Sequence, residues 1–222
     1  MKTRTILLSS LLALALAAPA FSQPAPAQAP AAAAAQPAPG PNTWMIDPPH
    51  SSIGFVVRHM MVSKVRGTFG KTTGTVTYDG KDVGSVAADI TIDTTTITTA
   101  NEKRDAHLKS PDFFDVATYP TITFKSKRVQ KGAPGAFKLI GDLTMHGVTK
   151  EVTLDVTGPS QAIVAQGATR IGASATLTLN RQDYGVKWSR NIDGGGVVVG
   201  DDVTVELELE LVKRAPQPAP GQ

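Results

Sequence analysis

Val203-Thr204-Val205-Glu206-Leu207-Glu208-Leu209-Glu210-Leu211 alternates apolar and polar residues without a break. Successive side chains of a β-strand point to opposite faces, so this segment has one dry face and one wet face. The same period of two recurs upstream. Ile53, Phe55, Val57 and His59 share a face, as do Val86, Ala88, Ile90 and Ile92, and as do Ile122, Phe124 and Ser126. Phe137, Leu139, Leu143 and Met145 form a fourth set, Val152, Leu154 and Val156 a fifth, and Ile171, Ala173, Ala175, Leu177 and Leu179 a sixth. One dry and one wet face marks antiparallel sheet. Eight or so such strands can close into a barrel or pack as a sandwich, and the pattern leaves both open.

Between these strands, His146-Gly147-Val148-Thr149 reads as a hairpin. Thr99 to Lys109 reads as a helix, with Asn101 to cap its start and Pro111 after its end. A further short turn is expected over Asp112 to Asp115, so the insert should cover one end of the sheet. The β-rich texture runs from 43 to 213, about 170 residues, which fits one domain.

The ends of the chain differ in composition. Met1-Lys2-Thr3-Arg4, an apolar run from Ile6 to Ala18, and Ala20-Phe21-Ser22 make the three parts of a secretory signal. The run is shorter than the ~20 apolar residues of a spanning helix. Residues 1–22 are therefore expected to be a signal peptide cut after Ser22, and the destination is expected to be the periplasm. Residues 23–42 are nearly all Pro, Ala and Gln and are expected to form a disordered extended linker; residues 214–222 repeat that flavour as a tail. There is no cysteine, which excludes a disulfide scaffold, a thiol enzyme and a lipid-attachment cysteine. The formal net charge of +3 includes Lys2 and Arg4. Without them the chain is close to neutral, which argues against nucleic-acid binding.

Catalytic patterns are missing from the sequence. His50, His59, His107 and His146 make no metal-ligand spacing, and there is no Gly-x-Ser-x-Gly elbow. Gly194-Gly195-Gly196 lacks the Lys and Ser/Thr of a phosphate loop and reads as a flexible loop. A non-enzymatic domain with no cofactor is expected.

More specific signals are Trp44-x-Ile46-Asp47-x-x-His50-Ser51, Gly67-x-Phe69, Arg104-Asp105-x-His107-Leu108-x-Ser110-x-Asp112-Phe113-Phe114-Asp115 and Tyr119-Pro120-x-x-Thr123-Phe124. Gly141-x-Leu143-Thr144-x-x-Gly147-x-Thr149, Asp183-Tyr184-Gly185 and Val199-Gly200-Asp201 come after them in order. Taken together they resemble the YceI-like family of bacterial exported proteins, over essentially all of 43–213. The resemblance implies a lipocalin-like, eight-stranded antiparallel β-barrel with an elongated apolar cavity for a polyisoprenoid or similar long-chain lipid. It also implies links to isoprenoid quinones or periplasmic stress, and a homodimer in many members.

A site for such a tail needs many inward apolar groups, because burial contributes roughly 25 cal/mol per Å² of apolar area. The candidates are Phe55, Val57, Phe69, Ile90, Ile92, Phe113, Phe114, Ile122, Phe124, Leu139, Leu143 and Leu154. Ordinary core packing is the competing reading for each; Phe113 and Phe114 beside the helix are expected at the barrel mouth. For a polar head the candidates are Arg58, His59, Arg104, His107 and Lys109, with His59 pointing inward by parity. Arg104 and Asp105 have a local ion pair as their alternative. Met60 and Met61, flexible and apolar, suit an adjustable entrance within a mobile 60–65 loop. The alternative to a lipid binder is an exported structural or stress-related β-domain with no ligand, and a continuous apolar cavity discriminates the two.

Overall fold

A computed structural model describes residues 40–193 and 195–214. The expected signal peptide, most of the linker and nearly all of the tail lie outside these residues. The strands are β1 (Thr43–Ile46), β2 (Ser52–His59), β3 (Ser63–Phe69), β4 (Thr72–Thr77), β5 (Ala87–Asp93) and β6 (Ile97–Thr98). After helix α1 (Glu102–Lys109) come β7 (Thr121–Lys131), β8 (Ala136–Met145), β9 (Val148–Thr157), β10 (Ile163–Ala165), β11 (Ala168–Asn180) and β12 (Val199–Arg214).

Three pairs of short strands are single staves bent in the middle: β1 with β2, β3 with β4, and β5 with β6. The first bends at the 3-10 turn Pro48–His50 and the third at Thr94–Thr96. With β7, β8, β9, β11 and β12 they make eight staves, each antiparallel to its chain neighbour. The ring closes because β12 pairs with β11 on one edge and with β1 and β2 on the other. The eight-stranded antiparallel barrel is thus what the alternation builds, and closure gives every stave a partner on both sides. The outlier is β10, a short strand hairpinned onto the start of β11.

Inward residues line the barrel: Trp44, Ile53, Ile90, Ile92, Ile122, Phe124, Leu143, Leu154, Ile171, Leu207 and Leu211 are buried. Each such side chain contributes about 1.5–3 kcal/mol by leaving water. Outside, the polar face of β12 is tied to β11. Glu208 accepts from Ser174 Oγ at 2.8 Å, and Glu210 accepts from Arg170, which also donates to Asp47 at 2.7 Å.

Register slips where β12 meets β2, between Val199 and Val203, and again in β7. Between Ser126 and Arg128 the β7–β8 register slips by one residue. Such a bulge flips the facing of the residues beyond it, so Ile122 and Phe124 face in at even numbers but Val129 joins the core at an odd one. Lys127 is the extra residue of the bulge, and the Ser126 Oγ beside it accepts from Ala88 N–H at 2.8 Å.

The helix starts later than the sequence suggests. Thr99 lies outside it, and Asn101 is the cap, its Oδ1 accepting from Arg104 N–H at 3.0 Å. Thr99 is instead the anchor of the insert: its backbone N–H and hydroxyl donate to Asp105, and its hydroxyl and carbonyl accept from Arg104.

All connections fall at two ends. Residues 60–62, 99–120, 146–147 and 181–198 make the upper end, which α1 covers. Residues 78–86, 132–135 and 158–167 make the lower end, and Thr43 and Arg214 leave from it too.

Candidate functional site

Two cavities lie inside the barrel. The upper one, about 140 Å³, runs under α1 and the 181–198 loop; the lower one is about 60 Å³. Both far exceed the ~10–15 Å³ that one water centre needs. Ile90, Leu154 and Leu207 line both and form a waist between them. The surface each cavity exposes is wholly apolar. Trp44, 2% exposed, stands near the lower end, with its Nε1 donating to Tyr78 C=O at 3.0 Å.

All the apolar candidates except Leu139 line the upper cavity; Leu139 lines the lower one. Gly67 shows how closely the wall is fitted, since a Cβ there would stand 2.3 Å from Phe55 Cζ. Phe113 and Phe114 are at the mouth, as expected. Phe114 meets Phe69 edge-on at 5.9 Å. Phe113 lies 5.2 Å from Trp188 and 5.0 Å from His107.

The polar candidates fare differently, and none lines either cavity. Arg58 is exposed on the outer face of β2. His59 has the inward parity expected but ends its strand, opposite Ser63 and Val199 at the rim, half-buried. Arg104 is engaged by Thr99, not by an ion pair with Asp105. Asp105 is held below the usual carboxylate pKa chiefly by the Thr99 hydroxyl. His107 stands closest to the mouth, packed edge-on against Phe113 and Trp188 (4.9 Å) and bonded through Nε2 to Asp112 at 2.8 Å. Lys109 is half-buried at the end of α1. Met60 and Met61 are exposed and line neither cavity.

Arg181 is the charged residue that lines the upper cavity, at 4% exposure. Its Nε donates to Gly200 C=O at 2.8 Å, and its two terminal nitrogens donate to Val186 C=O at 2.6 Å and Val199 C=O at 3.1 Å. Asp201 accepts from it at 3.2 Å. Burial lowers its pKa while Asp201 opposes the shift. The guanidinium is thus a clasp that ties the 181–198 loop to the start of β12. Beside it Tyr184, 2% exposed, has no partner for its hydroxyl, and burial, then Asp183, push its pKa up to about 12. Sequence reasoning missed Arg181 and Trp188 because the 181–198 stretch has no periodicity. The available signal was the flanking pair Asp183-Tyr184-Gly185 and Val199-Gly200-Asp201, which the clasp joins.

The barrel wall is thin at one seam. β9 and β11 pair only at 174–176 with 155–157. Above that the two strands run on unpaired, and Val152, Leu177 and Leu179, half-buried, line the upper cavity there. The ladder is therefore open there, a lateral slit in the hydrogen bonding beside the upper end of the cavity.

Asp47, His50 and Glu210 come within metal-ligating distance of one another. Arg170 already fills that cluster: it bonds both carboxylates and is the chief cause of the lowered Asp47 pKa. It is an ion-pair network. Among the described residues no helix is long and apolar enough to cross a membrane.

This geometry has relatives. The YceI-like domain matches residues 44–211. A UPF0312 protein of Staphylococcus aureus (strain N315) is 40% identical over 167 residues, covering 74% of this chain and 94% of that one. Among solved structures, the YceI protein of Campylobacter jejuni has a TM-score of 0.62 at 28% identity, covering 71% of this chain and 90% of that one. BcnA of Burkholderia cenocepacia has a TM-score of 0.63 at 23% identity, covering 74% and 98%. A polyisoprenoid binding domain from Saccharophagus degradans has a TM-score of 0.57 at 20% identity, covering 78% and 98%. Domain match, level of identity and closed barrel agree: the chain belongs to the YceI-like family.

Proposed function

We propose that this protein is an exported, non-catalytic binding protein that encloses a polyisoprenoid or similar long-chain lipid, quinone-tailed lipids included. The observation that carries the reading is the pair of apolar chambers meeting at the Ile90–Leu154–Leu207 waist. The one charged group in the upper wall has its donors directed to backbone carbonyls and Asp201, so the wall offers a tail only apolar contact. Each CH₂-sized group buried there contributes about 0.8 kcal/mol. A short tail fills the upper chamber, and a longer one parts the waist to reach the lower. The head stays at the mouth, beside His107 and Trp188. The likeness to a domain described as polyisoprenoid-binding supports the choice of ligand class. A ligand-free scaffold would be served better by a barrel filled with side chains.

The protein acts in the periplasm, delivered by the 1–22 signal, with 23–42 as spacer and 214–222 as tail. Native mass spectrometry of protein purified from the periplasm, followed by solvent extraction, tests the reading. A stoichiometric long-chain isoprenoid is expected. A bare polypeptide mass that persists when isoprenoids are added overturns it in favour of a scaffold.

A further inference from the structure

We propose a second, separate site: the tip of the β2–β3 hairpin, Met60-Met61-Val62, is a wedge that seats the barrel mouth on an anionic lipid surface. Three consecutive apolar side chains are exposed there, Met60 at 44%, Met61 at 55% and Val62 at 82%. They sit at the upper end, the same end as the mouth and the slit.

The turn itself is unusual. Val62 N–H donates to His59 C=O at 3.0 Å, and both central residues are left-handed, Met60 at φ 50° and Met61 at φ 59°. Two other tight hairpins of this barrel use the same sign of φ, and each places glycine second: His146-Gly147 and Gln166-Gly167. Asn-Gly is the residue pair that suits such a turn. The chain keeps two long apolar side chains in a conformation they rarely adopt, which folding alone does not require. Neighbouring backbone holds the tip in place: Met60 N–H donates to Val198 C=O at 2.9 Å, and Met61 lies against Gly196.

Charge supplies the occupant. Arg58 and Lys64 face each other across the hairpin and Arg66 comes next on β3, all exposed; Lys187 and Arg190 are exposed on the 181–198 loop. None of the five is in an ion pair among the described residues, whereas Lys71, Lys127, Arg128, Lys131, Lys138 and Lys150 elsewhere are; Lys81 and Lys125 also stand unpaired, but apart from one another. The acidic residues of the same loop and strand start are Asp183, Asp193, Asp201 and Asp202; Asp183 is paired with Lys150, and Asp201 is engaged by Arg181 and Gln182. An exposed apolar tip with unpaired cations behind it fits a phosphate-covered bilayer surface, where side chains of this kind enter the acyl boundary and cations meet the headgroups. Docking deepens the carrier reading but is independent of whether the cavity holds a lipid.

The test is flotation of the mature protein with phosphatidylglycerol-containing vesicles and with pure phosphatidylcholine vesicles. Binding to the anionic vesicles about tenfold tighter, and lost at high salt, is expected. The triple variant Met60→Asn, Met61→Gly, Val62→Ser gives the turn its preferred residues, so it stays folded, yet its vesicle binding should fall about tenfold. Lys64→Glu with Arg66→Glu should do the same. Equal binding to both vesicle types, or unchanged binding by the triple variant, overturns the proposal. So does a tip variant that instead dissociates a dimer, which would make the tip an interface between copies. The carrier reading is scored separately, by the lipid extracted from the same variants.

Discussion

On one edge β11 is paired with β12 from Ala168↔Arg214 to Asn180↔Asp202; on the other it meets β9 through three residues. The tight edge is also clamped at both ends. Arg170 reaches Glu210 and Asp47 near the bottom, and Arg181 reaches Val199, Gly200 and Asp201 at the top. Near the top of the loose edge there is one surface ion pair, Lys150 with Asp183 at 3.3 Å. Exposed pairs of that kind contribute little. A single strand therefore serves as a fixed post on one side and as the jamb of an opening on the other, and the opening lies over the upper chamber.

Removing the top clamp should have the largest effect. Arg181→Ala leaves buried carbonyls without donors and should cost roughly 3–5 kcal/mol in urea unfolding. A loss under about 1 kcal/mol would mean the tight edge does not depend on its clasp. Next comes alkaline pH. Tyr184 is neutral in the fold up to about pH 12, whereas its ordinary value is 10.0. The folded state thus keeps a proton the unfolded chain loses, and stability should fall between those values by up to about 1.4 kcal/mol per pH unit. Tyr184→Phe should remove that slope, leaving only what other groups contribute.

The loose edge should exchange its amides faster. Hydrogen exchange at residues 177–180 on the side facing β9 should outpace the β12-facing amides of the same strand by about tenfold or more. Equal protection would close the slit. The chain has no cysteine, so Val152→Cys with Leu179→Cys can be cross-linked without competition. The staple should slow lipid loading with little change in stability, and an unchanged loading rate would place the entrance elsewhere. The smallest effect belongs to the lower clamp. Asp47 titrates below its ordinary 3.8 because of Arg170 and His50. Its contribution is present above that value and fades as the pH falls through the lowered one. Asp47→Asn should flatten that acid limb of the stability profile.

These two edges also show what the sequence could say. Inward parity identified the wall residues of the regular strands but not Leu108, Val186 or Val199, because burial on one face imposes a period of two only along such strands. It could not locate the slit, since Leu177 and Leu179 carry the same pattern as paired residues below them. It misjudged the polar residues for a related reason. Charge type does not report direction, so Arg58 faces out, Arg104 bonds Thr99, and the buried cation, Arg181, lies in a stretch without periodicity. The 126–128 bulge is a third case, where a strand changes face with no glycine or proline to announce it.

Thr43 and Arg214 both leave from the lower end, opposite the mouth, the slit and the 60–62 tip. A label, an affinity handle or a second protein joined directly before Thr43 or after Arg214 would therefore hang from the far side of the barrel. A surface carrying the barrel through either of these two points would leave the loading face turned to solution.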